Sequence, residues 1–328
     1  MRPDFVNKLT PLRFEPLYRR YLWGGRRLET ILHKPLPPGN DYAESWEVVD
    51  HGGDQSVVAG GPLAGRTLHS LVRDFGEPLL GRHHPQNRFP LLFKFLDCQH
   101  NLSVQVHPND EQAARRIPPD LGKTEAWLVL ATTPGARVHA GLKPGVDRGR
   151  LEADLRQGLA ERCLHSWEPQ PGDCIFVPAG VVHALGAGLV VAEIQQSSDT
   201  TYRLFDWNRV DQDGRSRPLH ITAGLDVIDF AAGPVHAQVP QPTTVDGCEC
   251  LVACDKFVLQ RWHIDGETKI DGADLCRILT VIHGRATLTG DFPNQTVSLG
   301  ETILIPASCG ELTVVPSEPT TLIEMHLP

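Results

Sequence analysis

The feature that most constrains this fold is a succession of short runs rich in β-branched and aromatic residues, separated by glycine, proline and asparagine. Such runs with turn residues between them are typical of an all-β sandwich or barrel. Long helical periodicity is scarce, and we therefore predict a mainly β protein. The runs are ESWEVVD, RFPLLFKFLD, LSVQVH, EAWLVLA, DCIFVPAG, LVVAEIQQ, CRILTVIHG, QTVSLG, TILIPA and ELTVV.

Three segments interrupt the strand pattern with helical spacing of their apolar residues. They are residues 67–80, 109–117 and 147–162. The second opens with Asn109 followed three positions later by Gln112, which is the pattern of a capping box. We predict that all three are amphipathic helical insertions packed on the β-structure.

One strand–turn–strand motif occurs twice, because PGDCIFVPAGVVHAL (171–185) and LGETILIPASCGELT (299–313) align with a constant offset. Such a repeat predicts two related β-barrels. At the position of His183 the second copy has Glu311, and no His-x-His precedes it. We therefore predict that the second barrel lacks metal ligands.

A proline-rich stretch, VPQPTT (239–244), is typical of a linker between these two copies. It predicts a metal-binding, catalytic domain at residues 1–238, which contains the helical insertions. Residues 239–328 are predicted to form a smaller C-terminal β-domain.

Composition excludes several classes of function. The formal net charge is −9 and no lysine- or arginine-rich run occurs, which argues against nucleic acid or an anionic membrane as a partner. No segment approaches the roughly 20 apolar residues of a membrane span, and the N-terminus lacks the apolar core of a signal peptide. The eight cysteines are scattered without a CxxC pair, and Cys248, Cys250 and Cys254 are interpreted as structural thiols. We predict a reduced, cytoplasmic protein.

Candidate metal ligands come from three separate segments. GDCIFVPAGVVHA resembles the second cupin motif, in which tight turns direct the final histidine, His183, into the barrel. In LSVQVHP, Gln105 and His107 are two residues apart and share one strand face. In LGKTEAWLVL, Lys123 and Glu125 share a face in the same way.

Together Gln105, His107, Glu125 and His183 supply an amide oxygen, two imidazoles and a carboxylate. This donor set suits Zn²⁺ best, with Fe²⁺, Mn²⁺ or Co²⁺ as further occupants. The alternative is that Gln105 pairs with backbone and Glu125 with Lys123.

Seven motifs closely resemble those of type I phosphomannose isomerases, especially the short bacterial form. They cover roughly residues 15–215 in the family's order, and the remaining third resembles the family's C-terminal β-domain. The resemblance implies that Gln105, His107, Glu125 and His183 bind zinc and that Arg203, in the TYR segment, belongs to the active site. The motifs are YLWGGRRL, ESWEVVD, FPLLFKFLD, LSVQVHPND, GKTEAW, PGDCIFVPAGVVHAL and AEIQQSSDTTYRLFDWNR.

The resemblance also implies a reaction, the interconversion of mannose 6-phosphate and fructose 6-phosphate through a cis-enediol. One Zn²⁺ per chain serves as Lewis acid, and Arg203 stabilises the enediolate or holds phosphate. Lys123 is a second candidate catalytic cation beside the metal.

The proton-transferring base stays open among Lys123, Asp206, Glu193 and a zinc-bound water. Ser103 and Lys94 are candidates for contact with the phosphate.

Two alternative functions remain. A cupin oxygenase is one, although iron dioxygenases of that fold usually carry His-x-His where this chain has Gln105-x-His107. A non-catalytic sugar-phosphate-binding cupin is the other. The predicted partner is a small sugar phosphate, and both a monomer and a homodimer are compatible with the sequence.

Overall fold

Antiparallel strands dominate the computed structural model, which describes residues 9–210 and 213–328. In the first part of the chain the strands are β1 (Phe14–Glu15), β2 (Leu17–Gly25), β3 (Tyr42–Val48), β4 (Asp50–His51), β5 (Asp54–Gln55), β6 (Val57–Val58), β7 (Leu91–Cys98), β8 (Val104–Val106), β9 (Glu125–Thr132), β10 (Val138–Leu142), β11 (Leu164–Trp167), β12 (Cys174–Val177), β13 (His183–Leu185), β14 (Leu189–Gln196) and β15 (Tyr202–Phe205). The later strands are β16 (Gln241–Pro242), β17 (Cys248–Ala253), β18 (Val258–Ile264), β19 (Thr268–Ile270), β20 (Arg277–His283), β21 (Arg285–Gly290), β22 (Phe292–Ser298), β23 (Thr302–Ile305), β24 (Leu312–Pro316) and β25 (Thr320–His326).

Helices are few and short. They are α1 (Arg27–Leu32), α2 (Leu68–Leu80), α3 (Asp110–Ala114), α4 (Arg148–Arg156) and α5 (Ile221–Val227), with 3₁₀ turns at Ala160–Cys163 and Ala307–Cys309. Helices α1 and α5 were not predicted. They have six and seven residues, about two helical turns each, which is too short to show a clear apolar periodicity.

The three predicted helical insertions are present, with two changes of extent, the first being that α3 ends at Ala114 and not at residue 117. Helix α2 bends at Gly76, and α3 opens with the predicted capping box. The prediction of one helix over 147–162 was wrong, because α4 ends at Arg156. The chain then turns through Gly158, whose φ of +70° favours glycine, before the 3₁₀ turn.

The first β-unit consists of two sheets with a hydrophobic core between them. One has the order β11-β10-β13-β8-β15 and the other β12-β9-β14-β7-β3-β2. Apolar side chains of both sheets, such as Val138 and Leu185 from the first and Trp127 and Val191 from the second, form one buried cluster. The unit is thus a two-sheet jelly-roll, and its strands do not join into one closed ring.

The second β-unit repeats this arrangement, with sheets β16-β17-β18-β25-β20-β23 and β19-β24-β21-β22 around a core of their own. A further hydrophobic cluster joins the two units, since it includes Phe93 and Phe95 of β7 together with Phe257, Leu259 and Ile323. The prediction of a mainly β, cupin-type architecture is confirmed.

The repeated sequence motif has the same local structure in both units. Strands β12 and β13 flank the first turn, and β23 and β24 flank the second. Glu311, at the position that corresponds to His183, lies on the surface and pairs with Lys269 at 2.9 Å. None of the helices within the described residues combines the length and apolar character that a membrane span requires.

Candidate active site

Strand β8 brings three of the predicted site residues side by side. Its central residue, Gln105, lies opposite His183 of β13 on one side and opposite Arg203 of β15 on the other. His107 follows the end of the strand and is fully buried. Gln105 thus lies in β8 and His107 just beyond it, and their joint role as metal ligands stays a prediction.

Glu125 approaches from the opposite sheet, as the first residue of β9. Its carboxylate oxygens lie 3.5 Å from His107 Nε2 and 3.2 Å from His183 Nε2. The donor atoms of these three residues all lie within 4.8 Å of one another. Each side chain is 1% exposed, so an isolated carboxylate here requires a cationic partner.

Both histidines are oriented by backbone carbonyls. His107 Nδ1 lies 2.9 Å from the Thr200 carbonyl oxygen, and His183 Nδ1 lies 2.9 Å from that of Val181. A carbonyl only accepts, so each Nδ1 carries the proton and each Nε2 presents a lone pair. This is the arrangement by which proteins fix metal-binding imidazoles. His183 Nε2 is buried without a hydrogen-bond partner.

The electrostatics of the three residues favour a bound cation. Burial, together with the nearby Lys123 ammonium, lowers the pKa of His183 to about 3 and holds the pKa of His107 well below its usual range. Burial and the neighbouring Glu193 raise the pKa of Glu125, against the opposing effect of Lys123. Both imidazoles are therefore neutral, and burial disfavours the charged form of Glu125 in spite of Lys123, so further positive charge beside it is favourable.

Lys123 supplies positive charge at the centre of this group. Its Nζ donates to Glu125 and lies 3.0 Å from His107 Nε2 and 3.8 Å from Glu193. The alternative Glu125–Lys123 pair is therefore present, in the same cluster as the three candidate metal ligands.

A cavity of about 290 Å³ opens beside the cluster. Its walls include Gln105, Lys123 and Arg203, which the sequence had singled out for metal or substrate. The cavity is wide enough for a small polar ligand. Other polar residues of the wall are Lys94, Ser103, Glu193, Glu44, Asp199, Thr201 and Arg217.

Arg203 is half-buried in this wall. Its Nε lies 3.3 Å from Ser103 Oγ, and its Nη1 donates to the Pro218 carbonyl at 3.1 Å. Burial, with the nearby Arg217, lowers the pKa of the Arg203 guanidinium, although an arginine stays charged. Desolvated cations of this kind attract a phosphate or an enediolate.

Two of the candidate bases differ in their surroundings. Asp206 is engaged by Arg209 and by Arg217, whose Nε donates at 2.8 Å. Glu193 lies in the cavity wall, 3.2 Å from Lys94 Nζ.

Glu44 and Arg217 are wall residues that the sequence analysis missed. Glu44 belongs to the quoted run ESWEVVD, where strand alternation could have placed it inward, and its carboxylate lies 3.5 Å from Lys94. Arg217 lies in an irregular polar segment that carries no periodic signal.

Comparison with known proteins agrees with this architecture. The family model for the catalytic domain of type I phosphomannose isomerase matches residues 12–127, and that for the mannose-6-phosphate isomerase cupin domain matches 248–325. GmuF, a probable mannose-6-phosphate isomerase of Bacillus subtilis, is 35% identical over 93% of this chain and 96% of its own. ManA, a mannose-6-phosphate isomerase of the same species, is 33% identical over 92% and 94%.

A solved structure gives the same result. The crystal structure of the mannose 6-phosphate isomerase from Bacillus subtilis superimposes with a TM-score of 0.89 at 29% identity, over 97% of this chain and all of the other. Fold and relatives thus define an isomerase of the cupin architecture. The chain belongs to the type I phosphomannose isomerase family. The resemblance noted from its motifs is confirmed, as is the prediction of an enzyme of this class.

Proposed function

We propose that this chain interconverts mannose 6-phosphate and fructose 6-phosphate with one Zn²⁺ held by Gln105, His107, Glu125 and His183. The observation that carries the proposal is the approach of two neutral, backbone-oriented imidazoles and one buried carboxylate beside a cation-lined cavity. The names of the relatives support the choice of sugar phosphate.

The residues fit a metal ion on chemical grounds. His183 Nε2 and the Glu125 oxygen 3.2 Å away are both acceptors, so a cation between them satisfies two buried atoms at once. Nitrogen and oxygen donors of this type suit Zn²⁺, and Fe²⁺, Mn²⁺ and Co²⁺ compete for the same set. A metal held by these residues would supply a Lewis acid next to Gln105 and Lys123, which line the cavity.

Arg203 and Lys123 are the proposed catalytic cations of the chain. Arg203 points its guanidinium into the wall next to Gln105 and holds developing enediolate charge or the phosphate. The ammonium of Lys123 is anchored by Glu125 and Glu193 and contacts the sugar oxygens or the carboxylate ligand.

Proton transfer between C2 and C1 requires a base within reach of the substrate. Lys123 and Glu193 both line the cavity, whereas Asp206 is neutralised by two arginines. We propose Glu193 for this step, because its carboxylate can accept a proton, whereas Lys123 is held as a cation by Glu125 and Glu193.

We propose that residues 1–238 form the catalytic domain and that 239–328 act as a scaffold without a metal of its own. The surface pairing of Glu311 with Lys269 supports the second assignment. Shared packing around Phe257 supports a structural role for the second domain.

We also propose a reducing, cytoplasmic location. Five cysteines are buried thiols outside any disulfide, namely Cys98, Cys163, Cys174, Cys248 and Cys276. Structural disulfides are common in oxidising compartments and rare in reducing ones.

The function is tested by measuring the formation of fructose 6-phosphate from mannose 6-phosphate with a coupled reporter enzyme. The reporter enzyme must not depend on a metal ion that the chelator would remove. Wild-type protein is expected to turn over, to lose essentially all activity after exhaustive chelation and dialysis, and to recover it with one equivalent of Zn²⁺. A folded, zinc-loaded sample without turnover contradicts the proposal. Iron-dependent consumption of oxygen would instead support the oxygenase alternative.

A further inference from the structure

A second hydrogen-bonded network lies behind the metal-binding cluster and is centred on Asp120. Its side chain is 9% exposed. It accepts from Arg88 at 3.0 Å, lies 3.2 Å from His51 Nε2 and accepts from the Leu121 amide at 2.9 Å. Burial raises the pKa of Asp120, but these hydrogen bonds outweigh burial and hold that pKa well below its usual range. The carboxylate is therefore ionised.

The same carboxylate fixes a short segment after β14. Ser198 Oγ donates to it at 2.8 Å and Thr200 Oγ1 at 2.9 Å. The Thr200 amide in turn donates to Ser198 Oγ at 3.2 Å. Both residues are buried, and Thr200 Oγ1 also accepts a hydrogen bond from Arg116.

This segment reaches the metal-binding cluster through one backbone atom. The Thr200 carbonyl accepts from His107 Nδ1 at 2.9 Å and so sets the tautomer and the ring direction of His107. Asp120 is therefore connected to His107 through a single intervening residue.

We propose that Asp120 is a positioning residue for the metal centre, acting through Thr200 on His107. The inference rests on the proposed function, since it assigns an outer contact to the site proposed there. An ionised carboxylate that accepts two hydroxyl hydrogen bonds holds the Thr200 carbonyl rigidly, and a rigid carbonyl keeps His107 Nε2 aimed at the metal.

The test measures the zinc dissociation constant of folded protein by competition with a chromophoric chelator. Asp120→Ala is expected to weaken zinc binding by about 10-fold, the lower end of the range for direct partners of metal-binding histidines, because Asp120 acts on His107 through Thr200. Thr200→Val removes the hydroxyl but keeps the carbonyl, and it is expected to weaken binding in the same direction by a smaller factor. In the Co²⁺-loaded proteins, both substitutions are expected to shift the visible absorption of the metal.

Glu324→Gln is the matched control, because Glu324 is a buried carboxylate paired with Arg277 in the second unit. It is expected to lower the melting temperature while zinc affinity stays within twofold of wild type. A folded Asp120→Ala variant with wild-type zinc affinity and Co²⁺ spectrum overturns the inference. If that variant does not fold, wild-type values for Thr200→Val overturn it. Wild-type protein that binds no divalent metal contradicts the proposed function itself.

Discussion

Replacing His183 with alanine is expected to remove bound zinc and isomerase activity together. The substitution deletes one of two imidazole donors, so the metal loses a direct ligand while Glu125 keeps only Lys123 as its cationic partner. The loss of zinc affinity is expected to exceed the roughly 10–100-fold effect of outer contacts, because a direct ligand is removed. Metal analysis of purified protein and the coupled isomerase assay measure the two effects.

Glu311→Ala provides the control, since Glu311 occupies the corresponding position of the second unit. Its side chain is 57% exposed and pairs only with Lys269 among the contacts described for it. Exposed ion pairs contribute about 0–1 kcal/mol, so zinc content and activity are both expected to be unchanged. Loss of zinc from the Glu311→Ala variant contradicts the assignment of the metal centre. Retention of zinc by a folded His183→Ala protein contradicts it as well.

Replacing Arg203 with alanine is expected to lower kcat/KM for mannose 6-phosphate by about 10²–10³ while zinc content stays constant. Arg203 is half-buried and held by Ser103 and Pro218, so its guanidinium is preorganised in the cavity wall. Preorganised cations stabilise developing negative charge without reorganisation during the reaction. Steady-state kinetics separate the contributions to kcat and KM, and metal analysis verifies the site.

Arg137→Ala is the matched control for charge removal. Arg137 bonds to Ser166 and Glu168 on the surface of the same unit. Its kinetics are expected to stay within twofold of wild type. An Arg203→Ala enzyme with undiminished kcat/KM excludes the proposed catalytic role, and one that has lost its zinc points to a structural role instead.

The residues of the proposed metal centre could be named from the sequence because their signals are local. Strand alternation predicts Gln105 and His107 on one face, and the turns before His183 have a recognisable spacing. Likewise, the Asn109 cap was visible in the sequence and is present in the structure. Each of these features depends on residues within about a dozen positions of one another.

Other features depend on contacts between segments that are far apart in the chain, and no spacing of residues in the sequence indicates these contacts. Asp120 and Ser198 are separated by 78 residues yet share a hydrogen bond. Arg217 joins the cavity wall from an irregular segment for the same reason. The break of the predicted 147–162 helix shows that leucine spacing can persist across a glycine turn at Gly158.

The location of the metal tests the account most directly. Anomalous diffraction at the zinc edge, from crystals of active protein, is expected to give one strong peak per chain. That peak is predicted to contact His107 Nε2, His183 Nε2, a Glu125 oxygen and the Gln105 side-chain oxygen at about 2.0–2.2 Å. A peak elsewhere, such as among Cys248, Cys250 and Cys254, or no peak in crystals of active protein, would contradict the proposed centre.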